Sequence, residues 1–320
     1  MNGLPILAAL ILACSAGASV AQSYPGKAVR VVVPFTPGSG TDILARAVAP
    51  KLAEHWGQPV LVENRPGAGG VIGVGAVAKA PPDGYTLLWH SSAFASTAAV
   101  HDTLPYDPLR DFSAITALLN QPHALVVSPA AGARTIAELI AAAKARGRQI
   151  TYGSAGAGTS TQFAAEKFRI AAGIEAVHVP YRGGPEVNGD VMAGRVTYWM
   201  SPLVMAVPNI REGKLVALGV TSAERSSLLP EVPAIAEAGL PGFNYTTWWG
   251  LWAPANTPTE VIEKISKDAA RVLVTAELRE RLAKLGAEPM IMPPSEFTRF
   301  VRSQIDEAKH IAKAAGIKPE

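Results

Sequence analysis

The chain has 320 residues, of which 48% are hydrophobic and 17% charged. This is length for about two domains, with too much apolar content for a disordered chain. Lys and Arg number 29 against 26 Asp and Glu, a net charge of +3 spread without long runs, so no nucleic-acid face or membrane-surface patch is expected. The single cysteine, Cys14, lies in the first apolar run and leaves no disulfide framework or thiolate metal site for the rest of the chain.

Leu4 to Val20 is apolar or small, and Ser19 and Ala21 form a small-x-small exit before Gln22. That layout is a secretory signal peptide over residues 1–21, although no Lys or Arg precedes Lys27. Ile11-Leu12-Ala13-Cys14 offers a second reading as a lipoprotein box with Cys14 lipidated. The mature chain is then expected to be soluble and exported.

Ala28 to Val33 is a nearly continuous β-branched run, as in a strand buried on both faces. Pro37-Gly38-Ser39-Gly40 ends it, and Thr41-Asp42 opens a helix with Leu44, Val48 and Leu52 on one side. The pattern recurs as a strand at Val60–Val62, a loop at Arg65–Gly70, a helix over 71–80 and a strand at Thr86–Trp89. A second series starts with a strand at Ala124–Val127, followed by a helix opened by a Thr135/Glu138 capping box. Ile150–Tyr152 is a strand, 153–158 a glycine-rich loop, and Thr159/Gln162 a second capping box for a helix to about Ala172. Further strands fall at 176–179, 196–200 and 216–220. From Trp248 come a strand and two or three helices, one with Thr257 as N-cap and Pro258 at its first position, another from Ser295. Strands alternating with helices across short Gly/Pro loops predict an α/β fold with parallel sheets covered on both faces.

Two loops carry the functional signal, Phe35-Thr36-Pro37-Gly38-Ser39-Gly40-Thr41 and Gly153-Ser154-Ala155-Gly156-Ala157-Gly158-Thr159. Each follows a strand and feeds a helix N-terminus, where first-turn N–H groups lack intrahelical partners and the dipole favours an anion. Facing each other across a cleft, they would grip a carboxylate with backbone amides and hydroxyls. Asp42 reads as a structural cap, since a carboxylate there would repel a bound anion. Thr159 can be either a cap or a ligand donor. His90-Ser91 closes the third strand and can add polar contacts, with Phe35 and Phe94 as stacking surfaces that favour an aromatic or unsaturated acid. Trp248, Trp249 and Trp252 read as core or hinge packing.

The motifs of nucleotide and metal enzymes are missing: there is no G-x-G-x-x-G, P-loop or H-E-x-x-H, and the six histidines are scattered. No cofactor and no metal are expected. The alternatives to a binding protein are a secreted serine hydrolase using Ser154, or Ser91 with His90, and a sensory receptor presenting the same cleft.

A set of short motifs spans the mature chain in order. It runs through Tyr24-Pro25, Pro34-Phe35-Thr36-Pro37-Gly38, Val62-Glu63-Asn64-Arg65-Pro66-Gly67-Ala68-Gly69-Gly70 and Pro82-Asp83-Gly84-Tyr85-Thr86-Leu87-Leu88. It continues through Tyr152-Gly153-Ser154, Tyr181-Arg182-Gly183-Gly184, Gly213-Lys214-Leu215, Val220-Thr221-Ser222, Leu229-Pro230-Glu231-Val232-Pro233 and Glu237-Ala238-Gly239. In these the sequence resembles the Bug/TctC family, the periplasmic solute receptors of tripartite tricarboxylate transporters. The resemblance implies two doubly wound α/β domains closing on a small organic carboxylate that is handed to a membrane permease. Citrate-type acids, acidic amino acids and aromatic acids are the family's ligands. Domain 1 would comprise 22–123 plus 245–320 and domain 2 residues 124–244, acting as a monomer. The expected ligand-binding residues are Phe35, Thr36, Gly38, Ser39, Gly40, Thr41, His90, Ser91, Ser154, Ala155, Gly156, Thr159, Gly183, Gly184 and Ser201. Three departures stand out: Ser39 replaces a glycine, Glu186-Val187 replaces a Pro-Ala pair, and Thr197 and Ser201 stand where acidic residues are frequent. If Ser201 lines the cleft, the missing carboxylate disfavours an amino-acid ligand.

Overall fold

The apolar run at Val29–Val33 forms strand β1, and its alternation feeds two separate cores. Val31 and Val33 pack with Leu44, Val48 and Leu52 on one face, while Val32 joins Leu88, Phe94 and Trp252 on the other. This two-sided burial is why the strand reads as continuous rather than alternating. The structure, a computed structural model, describes residues 24–146 and 149–317. Residues 1–21, expected to form a signal peptide, and with them Cys14, lie outside the described residues. Among the described residues, no helix is long and apolar enough to cross a membrane.

In chain order, β1 is followed by α1 (Gly40–Trp56), β2 (Val60–Asn64), α2 (Val71–Ala78), β3 (Thr86–Ser91) and the single turn α3 (Ala93–Ser96). Then come β4 (Phe112–Val127), α4 (Ile136–Arg146), β5 (Thr151–Ser154), α5 (Ser160–Ala172), β6 (Val177–Pro180) and α6 (Gly184–Met192). The chain ends with β7 (Tyr198–Pro202), α7 (Leu203–Arg211), β8 (Val216–Val220), β9 (Thr246–Pro254), α8 (Thr259–Leu273), α9 (Ala276–Lys284), β10 (Glu288–Pro289) and α10 (Pro294–Ala315).

The strands lie in the order β2-β1-β3-β9-β4-β7-β5-β6, with β8 and β10 also paired to β4. Each half has a parallel core, β2-β1-β3 on one side and β7-β5-β6 on the other. The two halves share β4. Phe112 to Pro122 of this strand pairs antiparallel with β9, and His123 to Val127 pairs with β7 and β8. The sequence places a strand at Ala124–Val127, and the structure extends it back to Phe112, through Pro122. Pro122 sits where the ladder exchanges partners, a position that tolerates a missing donor. Beyond the exchange, Leu125 and Val127 enter one core with Tyr198 and Met200, and Ala124 and Val126 enter another with Trp199 and Leu203. The protein is thus two α/β domains strung on a common strand.

The return crossing is tied to the first. The His123 N–H donates to Thr221 Oγ1 at 2.7 Å, Thr221 N–H donates to the His123 carbonyl, and Tyr245 N–H donates to the Thr221 carbonyl. Thr247 Oγ1 lies 3.1 Å from His123 Nε2. Helix α10 reaches from the first domain to the second: Ala308 and Ala312 pack on Phe163 of α5, and Arg169 donates to the Ala315 carbonyl.

Two caps differ from expectation. Thr135 and Glu138 form the reciprocal capping box at α4. At α5, however, Gln162 accepts from Gly158 N–H and the Thr159 hydroxyl turns back to the Gly156 carbonyl, so the second box is not made. Likewise Thr257 donates to the Pro254 carbonyl, and α8 starts after Pro258 with no side-chain cap.

Burial pushes His90 and His123 down from 6.5 to about 3 and His178 to about 4. Folded values below unfolded ones mean the unfolded chain binds more protons as pH falls through this window, so stability is full above 6.5 and is lost below it. The denaturation midpoint is therefore expected to fall steadily from pH 7 to pH 4, and less steeply in His123→Gln. Urea titrations at several pH values check this, and an equal slope for parent and variant would contradict it.

Candidate functional site

The N-terminus of α1 is built by side chains that use up their own loop. Ser39 Oγ accepts from Asp42 N–H at 3.3 Å, capping the helix. Asp42 Oδ2 accepts from Gly38 N–H, and its Oδ1 accepts from Arg46 and from Asn64, each at 2.9 Å. Asp42 is thereby structural. Ser39 N–H donates to the Thr36 carbonyl. In the first turn, where no intrahelical partner exists, the amides of Gly40 and Thr41 have no protein acceptor among the described residues.

The loop before α5 behaves the same way. Ala155 N–H donates to Thr161 Oγ1, Gly156 N–H to Ser154 Oγ, Gly158 N–H to Gln162 Oε1, and Thr159 N–H to the Gly156 carbonyl. The expected role of the Ala155 and Gly156 amides as free anion donors is therefore corrected: they are satisfied inside the loop. The open donors of α5 among the described residues are the first-turn amides of Ser160, Thr161 and Gln162, since no side chain caps this helix.

The two helix N-termini meet at a cavity of about 30 Å³ between the domains. Phe35, Ser39, Gly40, Thr41, Ser91 and Trp249 line it from the first domain, and Ala155, Thr159, Ser160, Thr161, Gly184, Trp199, Pro202 and Met205 from the second. No ionisable side chain is among them. The hydroxyls are polarised by what they accept. Thr41 Oγ1 accepts from Trp249 Nε1 at 3.1 Å and Ser91 Oγ accepts from Ala93 N–H at 3.3 Å. Thr41, Ser91 and the capping Ser39 therefore each keep an O–H to donate. The arrangement is a small space walled by uncharged donors at two positive helix ends, which suits an anionic oxygen.

Of the residues singled out in the sequence, Phe35, Ser39, Gly40, Thr41, Ser91, Ala155, Thr159 and Gly184 come together at this cavity, whereas Thr36, Gly38, His90, Ser154, Gly156, Gly183 and Ser201 do not line it. His90 is buried with its ring edge-on to Phe35 and Phe94 at 5.4 and 6.0 Å, and its Nδ1 accepts from Ser91 N–H. Phe94 packs on Trp252 in the core, which removes the basis for reading an aromatic ligand from His90 and Phe94. Ser201 is wholly buried, its hydroxyl donating to the Pro202 carbonyl. Sequence reasoning missed Ser160, Thr161, Trp199, Pro202 and Met205, and it placed Trp249 only in packing.

Gly156 and Gly183 belong to the seam around the cavity. A Cβ on Gly156 would sit 3.2 Å from Gly69 Cα of the other domain, and one on Gly183 would overlap Thr36 Oγ1. Ser96 Oγ of the first domain donates to the Gly158 carbonyl of the second at 2.6 Å.

Ser154 Oγ lies 2.6 Å from His178 Nε2, a pair that superficially suggests a nucleophile. Gln162 Oε1 is fixed by Gly158 N–H, so its Nε2 donates to His178 Nδ1 at 3.3 Å. His178 Nε2 then carries the proton and donates to Ser154, the reverse of nucleophile activation. Ser154 is also wholly buried. Among the described residues, no three His, Cys, Asp or Glu side chains cluster as metal ligands.

Two α/β domains on crossing strands, meeting at a donor-lined cleft, define the class of two-domain binding proteins. Residues 44–317 match the model of the tripartite tricarboxylate transporter family receptor, TctC, and the chain belongs to this family. It is 32% identical to protein BugT of Bordetella pertussis over 99% of each chain. Among solved structures it is similar to R. palustris Rpa4515 with adipate, at TM-score 0.90 and 35% identity over 93% of this chain and 100% of that one. It is also similar to MatC of Rhodopseudomonas palustris with bound malate, at TM-score 0.85 and 30% identity over 90% and 99%.

Gly183 has φ −173°, an extended backbone any residue adopts, so substituting it tests the seam rather than local strain. Gly183→Val is expected to fold with little loss of stability yet fail to close against Thr36, weakening binding of the protein's solute by about tenfold or more. Calorimetry checks the affinity and small-angle scattering the shape. Parental affinity in the variant would contradict the seam.

Proposed function

We propose that this chain is a periplasmic receptor that captures a small organic carboxylate by domain closure and delivers it to a permease of the tripartite tricarboxylate type. The observation that carries the reading is the meeting of the α1 and α5 N-termini at a cavity without any ionisable side chain. Uncharged donors held at two positive helix ends stabilise an anion without the desolvation cost of a buried cation. The adipate and malate bound to two similar proteins support the same ligand class for this one. The absence of a carboxylate from the lining supports unaminated acids over amino acids, whose ammonium would need an acceptor.

In this reading Gly40, Thr41, Ser160 and Thr161 supply amides and Ser39, Thr41 and Ser91 supply hydroxyl protons. A cavity of about 30 Å³ has room for a few waters at most, so a solute enters only when the domains part. Residues 22–123 with 245–320 would move against 124–244. The partner exchange at Pro122–His123 and the Thr221–Tyr245 tie support a hinge there. Residues 1–21 serve as the export signal, and the chain acts as a monomer that binds without turnover.

Thermal-shift screening of the mature protein against organic acids tests the reading. A true solute at about 100 times its Kd adds about 2.7 kcal/mol to the native state, which raises Tm by several degrees. A panel in which acidic amino acids outrank every unaminated acid would contradict it. Thr41→Val is expected to weaken the acid by about tenfold or more through loss of a hydrogen bond to a charged group, while Thr41→Ser retains binding. Calorimetry on both variants checks this, and equal affinity in Thr41→Val would count against the role of Thr41.

A further inference from the structure

Apart from the helix-end amides and the hydroxyls, one side chain of the cleft wall carries a buried N–H with no acceptor among the described residues. Trp199 lines the cavity on β7, its side chain is wholly buried, and its Nε1–H has no acceptor among the described residues. Its counterpart across the cleft, Trp249, donates its own Nε1–H to Thr41. Pro202 and Met205 flank Trp199 in the wall and offer no oxygen side chain. The indole belongs to the second domain, and Phe35, Gly40 and Trp249 close over this space from the first. In an open protein, water can accept from this N–H. Closure removes the water, and a buried donor left without an acceptor opposes the closed state.

We propose that Trp199 is a specificity-determining residue of the cleft, its indole N–H donating to a second oxygen-bearing group of the ligand, away from the carboxylate held at the helix ends. This rests on the carboxylate reading of the site and narrows it. The preferred solutes are acids with a distal oxygen acceptor, such as dicarboxylates, and acids with a plain hydrocarbon tail are rejected because closing over them leaves the N–H unpaired. A site built around a hydrogen bond discriminates against the analogue lacking it far more strongly than a merely apolar pocket does. Closure is thereby coupled to ligand chemistry, since only a ligand that satisfies Trp199 relieves the opposing donor.

The test pairs diacids with monoacids of equal length, succinate with butanoate and adipate with hexanoate, by calorimetry at neutral pH on the parent and on Trp199→Phe. The phenyl ring keeps the apolar wall and removes the donor. The parent is expected to prefer the better-fitting diacid over its monoacid by about tenfold or more, and the variant to lose most of that preference through weaker diacid binding. A preference unchanged in a folded Trp199→Phe overturns the assignment of Trp199 and leaves the carboxylate reading standing. Failure of every acid to bind the parent overturns that reading and the assignment with it. Should the variant fail to fold, the indole ¹⁵N–¹H resonance of Trp199 in the parent decides: it moves downfield with the bound diacid and stays with the monoacid, and an unmoved resonance in the diacid complex overturns the proposal.

Discussion

A hydrogen-bond donor removed from water must find an acceptor, and this constraint organises the cleft. Most amides of the two glycine-rich loops meet it internally, through Asp42 on one side and Ser154, Thr161 and Gln162 on the other. At the cavity itself, the open donors include the first-turn amides of α1 and α5, hydroxyls whose oxygens are already engaged, and the Trp199 indole. The loops thus act as rigid frames that aim helix ends. An anion's oxygens complete the set, and the closed arrangement reaches full satisfaction only around such a ligand.

Closure needs backbone surfaces that can touch. The seam is made where side chains are smallest, Gly156 against Gly69 and Gly183 against Thr36, so the domains approach to main-chain distance around the cavity. The shared strand supplies the other requirement. Because β4 serves both sheets, each domain keeps a complete hydrogen-bonded core while the junction near His123 is held by only a few bonds to Thr221 and Thr247. A stiff core in each half and a thin tie between them is what a hinge demands.

Much of the fold was legible because it rests on local patterns. The Val29–Val33 run, the Thr135/Glu138 box and the α1 stripe of Leu44, Val48 and Leu52 each follow from neighbours in sequence. The misses are tertiary. The Phe112–Pro122 part of β4 went unplaced because the exchange of ladder partners that carries it through Pro122 is visible only in three dimensions. Gln162 was expected to cap Thr159, but Gly158 and His178 compete for its amide. Trp199 and Met205 carry no local signal, since nothing in sequence distinguishes a buried indole with an acceptor from one without. Ser160 and Thr161, by contrast, were within reach: they follow the expected N-cap directly and are the first turn itself. Glycine loops drew attention as anion grips, yet a loop rich in Ser and Thr beside its glycines also carries the acceptors that consume its own amides.

The central claim is that uncharged donors at two helix ends recognise an organic anion. The most direct measurement is a crystal structure of the mature protein grown with an acid that raises its Tm. The account predicts carboxylate oxygens within hydrogen-bond distance of first-turn amides of both α1 and α5, with the Thr41 hydroxyl donating to one of them. An acid seated instead in the groove of about 250 Å³ lined by Lys167, Tyr245, Trp248 and Phe300, with the cleft between the helix ends bare, would contradict it.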